Sequence, residues 1–399
     1  MNLLQNRKET DTKIDGALTI SDFRAYQYSL INDFIDLIVG YISKQNGTYL
    51  NLIDKSIKPK LTYQGIYNTE LVQVESFVNN TNVNDIDKNQ KLFFKLLVPK
   101  LIQNTFFMIN GNYYVPTLYI LDKPIVVKKK SIKLYSIFNS LSISFNHDIA
   151  TFTRANIPLQ YLFGIFLETD EEKELYRDIA QKFKMKHQPK SESDILTYFS
   201  NNINKNTRED VIVFYENLFF DDYTRYLYKG CYPNVFNDDN LNLKNIIIKS
   251  LQMKLKDEIP EYIDLKYKRL VFVELLLSPL LKRVGNVAAQ AARGFFPDEL
   301  KIDHLQILKH FLTSPDKKKK GSEGLSGNYL YDTVNLMSGM LSHKVSMVNP
   351  GSANPPSTIS DTHPSHFKRI CPISVSNQKP GEVISILPTT KFDYCGQFI

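Results

Sequence analysis

The sequence predicts an α+β chain of more than one domain. Three observations lead to that class. Its 399 residues exceed the size at which a single hydrophobic core usually keeps growing. Strand-like runs gather between residues 92 and 145. From about residue 146 the pattern changes to helical spacing, broken by polar stretches near 187–194 and 201–208. With 43% hydrophobic and 23% charged residues, the composition is that of a folded chain rather than a disordered one.

Residues 21–43 read as an amphipathic helix, because Phe23, Tyr26, Leu30, Phe34 and Leu37 or Ile38 recur at steps of three to four, with Ser21-Asp22 as its N-cap. Residues 44–90 mix short β-like runs with Asn- and Asp-rich turns. Phe93–Pro99, Thr105–Ile109 and Tyr113–Ile120 read as strands. Asn110-Gly111-Asn112 is the turn between the last two, since Asn and Gly tolerate positive φ. Pro124–Val127 and Ile132–Phe145 continue the β character on either side of Lys128-Lys129-Lys130. Residues 146–260 read as a separate, mainly helical domain with an acidic run, Glu168-Thr169-Asp170-Glu171-Glu172. Helical spacing continues through 264–293 and 302–312, interrupted at Pro279 and Pro297. An exposed loop rich in Lys, Gly and Ser is expected over 315–327, and a short helix over about 328–342. Residues 345–360 hold no charge and read as an irregular loop, and 382–387 as a strand.

Several classes of protein are disfavoured. Met1 to Lys13 is polar and lacks the apolar core of a secretory signal. The most apolar run, Leu270–Leu281, contains Glu274 and Pro279 and is too short to span a bilayer. Three cysteines (Cys231, Cys371 and Cys395) do not make a disulfide framework, so a reducing, cytoplasmic setting is expected. The charge of +7 is concentrated, because residues 266–344 carry 13 Lys and Arg against 7 Asp and Glu. Such a region suits phosphate backbones, although a run of lysines is more often only solvated.

Candidate chemistry within the chain is sparse. Asp221-Asp222 and Asp238-Asp239 are carboxylate pairs without the glycine context of a catalytic metal motif. His363, His366, Cys371 and Cys395 raise the question of zinc, but their spacing is not a common ligand pattern and Pro364 intervenes. There is no Gly-rich phosphate loop, no nucleophile with a base at motif spacing, and no CxxC pair.

The most specific segment is Asp361-Thr362-His363-Pro364-Ser365-His366-Phe367-Lys368-Arg369-Ile370-Cys371-Pro372-Ile373. It resembles a signature of the second-largest (β) subunit of multisubunit RNA polymerases, roughly D/N-x-H-P/T-x-H-x-G-R/L-x-C-P-x-E-T-P-E-G. Other segments resemble the same family in the same order. Ser29-Leu30-Ile31-Asn32-Asp33-Phe34-Ile35 is similar to its early L-x-S-F-N-x-F-I helix. Val98-Pro99 precedes Gln103–Gly111, which is similar to its G-T/Y-F-I-I-N-G hairpin. Tyr267-Lys268-Arg269-Leu270 is similar to its N-K/R-R-L turn, and Met340-Leu341-Ser342-His343-Lys344 to its T-L-S-H/T-H-K segment. The chain departs from the family after Ile373, where Ser374–Lys379 replaces E-T-P-E-G-P/Q. Val345-Ser346 likewise stands where the family has paired arginines. The acidic pair and the P-E-G turn of the family are therefore missing after Ile373.

The resemblance implies the N-terminal part of a split β subunit, most like those of jumbo tailed bacteriophages. The expected layout is an N-terminal tail (1–14), protrusion (15–130 and 265–328), an inserted lobe (131–264), fork (329–375), and the start of the following β region (376–399), completed by a partner chain. The implied role is to form one side of the DNA cleft and to contact downstream DNA and the RNA–DNA hybrid. This chain would be non-catalytic by itself. The polymerase's Mg2+ ligands are expected on a separate β′-like chain, and no cofactor on this one. Expected partners are a C-terminal β fragment, β′-like fragments, a promoter-specificity subunit as a further candidate, template DNA and transcript RNA, but no membrane. For a phage-encoded chain the location would be the cytoplasm of the infected bacterium. Candidate nucleic-acid contacts are His343, Lys344, Arg369, Lys268, Arg269 and Lys317, Lys318, Lys319 and Lys320. The alternative is a stand-alone nucleic-acid-binding protein that uses the β-subunit fold outside a polymerase.

Overall fold

Contacts in the computed structural model divide the chain into two units: Met1–Leu121 with Tyr262–Ile399, and Asp122–Glu261. The residues described are 17–31, 33–34, 37, 48–61, 68–80, 90–99, 101–102, 107–109, 112–115, 118–137, 139–152, 155–185, 190–256, 258–275, 329–331, 343–347, 361–375 and 383–399. Helices and four sheets occur among them, so the class is α+β.

The first unit opens with helix α1, Ile20–Ser29. It starts earlier than the sequence predicts, because Thr19 and not Ser21 caps it. The Thr19 hydroxyl accepts from the Asp22 amide at 3.2 Å, and the Asp22 carboxylate accepts from the Thr19 amide at 3.2 Å. Phe23, Leu30 and Phe34 are buried, whereas Tyr26 of the same expected stripe is half-buried and the polar Arg24 and Gln27 are buried. Three antiparallel strands follow: β1 (Thr48–Leu61), β2 (Asn68–Asn80) and β3 (Gln90–Pro99). β1 and β2 are long strands where the sequence shows only short runs. Pro59 lies in β1, which is an edge strand among the described residues, the setting in which a strand tolerates proline. β4 (Phe107–Ile109) and β5 (Asn112–Val115) form a hairpin in which Ile109 pairs with Asn112. That register leaves Asn110 and Gly111, which lie outside the described residues, to connect them. β6, Leu118–Asp122, leads into the second unit.

The second unit begins at Asp122, and its first pairing is β7 (Ile125–Val127) with β8 (Ser131–Tyr135). β9 (Ser140–Ser144), β10 (Ile149–Phe152) and β11 (Ala155–Pro158) complete an antiparallel meander. Ile132, Leu134, Leu141, Ile143, Ala150 and Phe152 are buried at every second position, so one face of the sheet is apolar. Six helices supply the cover: α2 (Leu159–Phe166), α3 (Asp170–Phe183), α4 (Glu192–Ile203), α5 (Arg208–Phe219), α6 (Asp222–Cys231) and α7 (Leu243–Leu255). Thr169, Ser191, Thr207, Asp221 and Asn242 cap the last five through side-chain oxygens. The acidic run noted in the sequence is neutralised locally. Glu168 lies 2.9 Å from Arg208 and 3.1 Å from Lys244, which also reaches Glu172 at 3.2 Å. Buried Lys254 donates to the carbonyls of Lys128 and Lys129 at 2.9 Å each, which holds the β7–β8 turn.

Back in the first unit, β12 (Lys268–Val271), β14 (Lys344–Ser346), β15 (Ile370–Val375) and β16 (Val383–Ile386) join β6 in one sheet, ordered β12-β6-β14-β16-β15. β13, Tyr329–Tyr331, pairs with β5. Residues 329–331 are therefore extended where a helix over 328–342 was expected, and residues 345–346 belong to a strand rather than a loop. The closing segment bonds within the first unit. Phe392 exchanges backbone hydrogen bonds with Leu18 at 2.8 and 2.9 Å, and its ring lies 6.0 Å from that of Phe23. Gly396 adopts φ +84° and accepts from the Leu270 amide at 2.7 Å.

Two stability measurements follow from this packing. A Cβ at residue 396 would sit 2.2 Å from the Leu270 carbonyl oxygen, on backbone that disfavours L side chains. Gly396→Ala is expected to cost roughly 2–4 kcal/mol in denaturant unfolding; an unchanged midpoint would mean that the tail does not dock on β12. The second concerns Asp221, whose carboxyl burial pushes up to about 6 although Thr224 hydrogen bonds oppose the rise. A raised folded-state pKa gives stability that is complete below the ordinary value of 3.8 and lost as pH rises through about 6. Asp221→Asn keeps a cap acceptor, and should add roughly 1–2 kcal/mol at about pH 7.5 and almost nothing near pH 4. An equal effect at both pH values would rule out this carboxyl as the cause.

Candidate nucleic-acid interface

The β12-β6-β14-β16-β15 sheet gathers the described candidate residues. β14 and β15 both run antiparallel to β16, so they begin at the same end of it. The residues just before them flank that end. The His343 carbonyl accepts from the Ile386 amide at 2.9 Å, and the Arg369 carbonyl from the Leu387 amide at 2.9 Å. Thr390 Oγ1 adds a hydrogen bond to the Arg369 carbonyl at 3.0 Å. The structure thus brings His343, Lys344 and Arg369 to one end of one sheet, although 26 positions separate His343 from Arg369 in the sequence.

Their electrostatics differ. Lys344 and Arg369 are half-buried, and Arg369 Nη1 donates to the Ser365 carbonyl at 3.3 Å. His343 is also half-buried, and its Nδ1 has no hydrogen-bond partner among the described residues. Burial, reinforced by the Arg24 guanidinium, holds the His343 imidazole below its ordinary value. It is therefore neutral near pH 7 and offers hydrogen bonding rather than charge. Arg24 itself is wholly buried on α1, and burial lowers its guanidinium to about 10, which leaves it cationic at neutral pH.

Lys268 and Arg269 are placed otherwise. The resemblance groups them with the candidate nucleic-acid contacts, and their exposures are only 3% and 6%. Arg269 makes a bidentate pair with Glu274 at 2.7 and 2.5 Å, and Lys268 Nζ lies 4.1 Å from the Tyr262 ring centroid. Their charge is used inside the first unit. Lys317, Lys318, Lys319 and Lys320 lie outside the described residues. Lys128, Lys129 and Lys130 are exposed on the second unit.

The most fixed part of the candidate interface is the junction of two 3-10 turns, Leu265–Tyr267 and Pro364–His366. Asp264 caps the first by accepting from the Lys266 amide at 2.9 Å. His363 caps the second, its Nδ1 accepting from the Ser365 amide at 3.1 Å. The turns are joined twice: the Leu265 amide donates to Ser365 Oγ at 3.0 Å, and His366 Nε2 meets the Ile263 carbonyl at 2.8 Å. A carbonyl only accepts, so His366 carries its proton on Nε2; His363 Nδ1 accepts, so in the neutral ring its proton is on Nε2 as well. Burial lowers the His366 imidazole despite the Ile263 carbonyl, which favours the cation.

Asp264, His363 and Ser365 do not make a hydrolytic triad. Asp264 lies 3.8 Å from His363 Nδ1, and Ser365 Oγ lies 2.8 Å from that same nitrogen. Proton transfer in a triad needs acid and nucleophile on opposite nitrogens. Among the described residues no group of three or more His, Cys, Asp or Glu is arranged to hold a metal. Of the carboxylate pairs, Asp221 serves as a helix cap and Asp238 pairs with Lys229.

Two residues went unnoticed in the sequence. Phe367 is 75% exposed, and Lys368 adopts φ +61°. The signal available was a phenylalanine set between histidine and two cations inside the most specific motif.

Removing one partner of the buried Arg269–Glu274 pair strands the other. Arg269→Ala is expected to lower unfolding free energy by about 3 kcal/mol, and the double change Arg269→Met, Glu274→Leu to restore much of it. Unchanged stability with weakened nucleic-acid binding would return Arg269 to the surface contacts.

Comparison with protein-family models and with curated proteins finds no match to this chain.

Proposed function

We propose that this chain is the N-terminal portion of a β-type subunit of a multisubunit DNA-directed RNA polymerase, contributing a non-catalytic wall of the nucleic-acid cleft. The observation that carries the reading is the segment Asp361–Ile373, in which Asp361, His363, Pro364, His366, Arg369, Cys371 and Pro372 follow the β signature in order, with Lys368 as the departure. The local geometry gives that match a physical basis. Lys368 stands where the β pattern has glycine, and its φ of +61° lies in the region that glycine enters without penalty. The two histidines of the pattern are both used, one to cap the turn and one to fasten it to Ile263. A second support is the discontinuous organisation. The chain leaves its first unit after Leu121 and re-enters at Tyr262, next to the Tyr267–Leu270 segment that resembles the family's return turn.

In this reading Lys344 and Arg369 supply positive charge and His343 a neutral hydrogen-bonding group toward nucleic acid. The metal-dependent nucleotidyl transfer belongs to a β′-like partner that carries the Mg2+ ligands.

The test is to tag the chain, purify it from the cell that produces it, and identify co-purifying chains by mass spectrometry. Recovery of a large partner bearing N-A-D-F-D-G-D is the expected result. A well-behaved chain recovered alone and still binding nucleic acid would sink the polymerase reading in favour of a free-standing binding protein.

A further inference from the structure

The junction of the two 3-10 turns presents an arrangement that its internal bonding does not use. Phe367 projects from the end of the Pro364–His366 turn with 75% of its surface exposed. The backbone beneath it is held on both sides: its own amide donates to the Pro364 carbonyl at 3.2 Å, and the Arg369 amide to the His366 carbonyl at 3.0 Å. Lys368 is exposed, and its Nζ lies 5.6 Å from the Phe367 ring centroid. On the facing turn Lys266 is also exposed, with its Nζ 5.5 Å from the half-buried Tyr267 ring. Two lysine–aromatic pairs, from segments about a hundred residues apart, are thus carried by turns hydrogen-bonded to each other. The acid at the junction, Asp264, is occupied by the Lys266 amide and faces His363.

We infer that this junction is a stacking site for unpaired bases of a single-stranded nucleic acid. Phe367 is the base platform, and Lys368 and Lys266 are the phosphate contacts. An exposed ring on a fixed turn loses little conformational freedom when a base stacks on it, and every base offers a π-face. In a duplex those faces are already stacked, so the ring selects unpaired strands. The adjoining cations favour a polyanion over the apolar pocket of a protein partner. The inference rests on the nucleic-acid role proposed above but not on assembly into a polymerase.

The experiment is fluorescence anisotropy of the full chain, or of the assembly that co-purifies with it, against a fluorescein-labelled oligothymidylate of about twelve nucleotides. Phe367→Ala should weaken binding about tenfold and leave the melting temperature unchanged, because the ring is exposed. Phe367→Trp should preserve binding. Lys266→Ala with Lys368→Ala should lower the slope of log affinity against log salt by about one to two. Equal affinity of wild type and Phe367→Ala overturns the inference. So does loss of a co-purifying chain from Phe367→Ala with oligothymidylate binding intact, which would make the ring an anchor for protein. If no polymerase partner is recovered but Phe367 dependence persists, the polymerase reading fails and this site stands. If the partner is recovered and the dependence is missing, the site fails and the reading stands.

Discussion

The pairing of β6 with β12 is the constraint on which the first unit depends. These strands carry the two ends of the Asp122–Glu261 insertion, and they are neighbours in one sheet. A long excursion is tolerated because closing it costs only slowly more with length, provided that its ends are held together. With β12 fixed beside β6, β14 adds in parallel on the other side of β6, pairing Val345 with Leu118, and β16 and β15 extend the sheet. The 3-10 turn just before β12 then lies where the Pro364–His366 turn can dock on it through Ser365 and His366. The Leu270 amide receives the C-terminal tail through Gly396.

A second theme is how much positive charge is used internally. Lys254, Lys268 and Arg269 are all buried, and each has a distinct physical setting. Lys254 is held by two backbone carbonyls, Lys268 lies against an aromatic face and Arg269 grips a carboxylate. Burying a cation without such compensation would be prohibitive. The excess of Lys and Arg between residues 266 and 344 therefore overstates what β12 offers to a polyanion. The exposed cations at the turn junction, Lys266 and Lys368, are fewer but arranged on fixed backbone.

The junction also shows one motif meeting local and distant requirements together. His363 satisfies the turn that follows it, while His366 reaches a carbonyl about a hundred residues away. Lys368 takes a left-handed conformation that reverses the chain into β15. Arg369 then flanks β16 opposite His343. This leaves Phe367 outside.

By itself the sequence determined the features that depend on near neighbours. In α1 the spacing finds Phe23, but Arg24 and Gln27 share the buried positions while Tyr26 is half-buried; in β8 and β9 burial alternates because strand geometry has a period of two. The motif around His363 stood out only through its resemblance to a family signature; that His363 caps the Pro364–His366 turn is a finding of the structure. Features decided by distant partners were not legible. Residues 329–331 became a strand because β5 offers a free edge, not because of their own pattern. β10 and β11 are four residues each, too short for alternation to be recognised before their partners are present. Lys268 and Arg269 resemble surface cations until Tyr262 and Glu274 are brought against them. The exposure of Phe367 is the same lesson in reverse, for a phenylalanine is ordinarily read as core. Only the tertiary structure decides burial, because burial depends on what the rest of the chain places over a side chain.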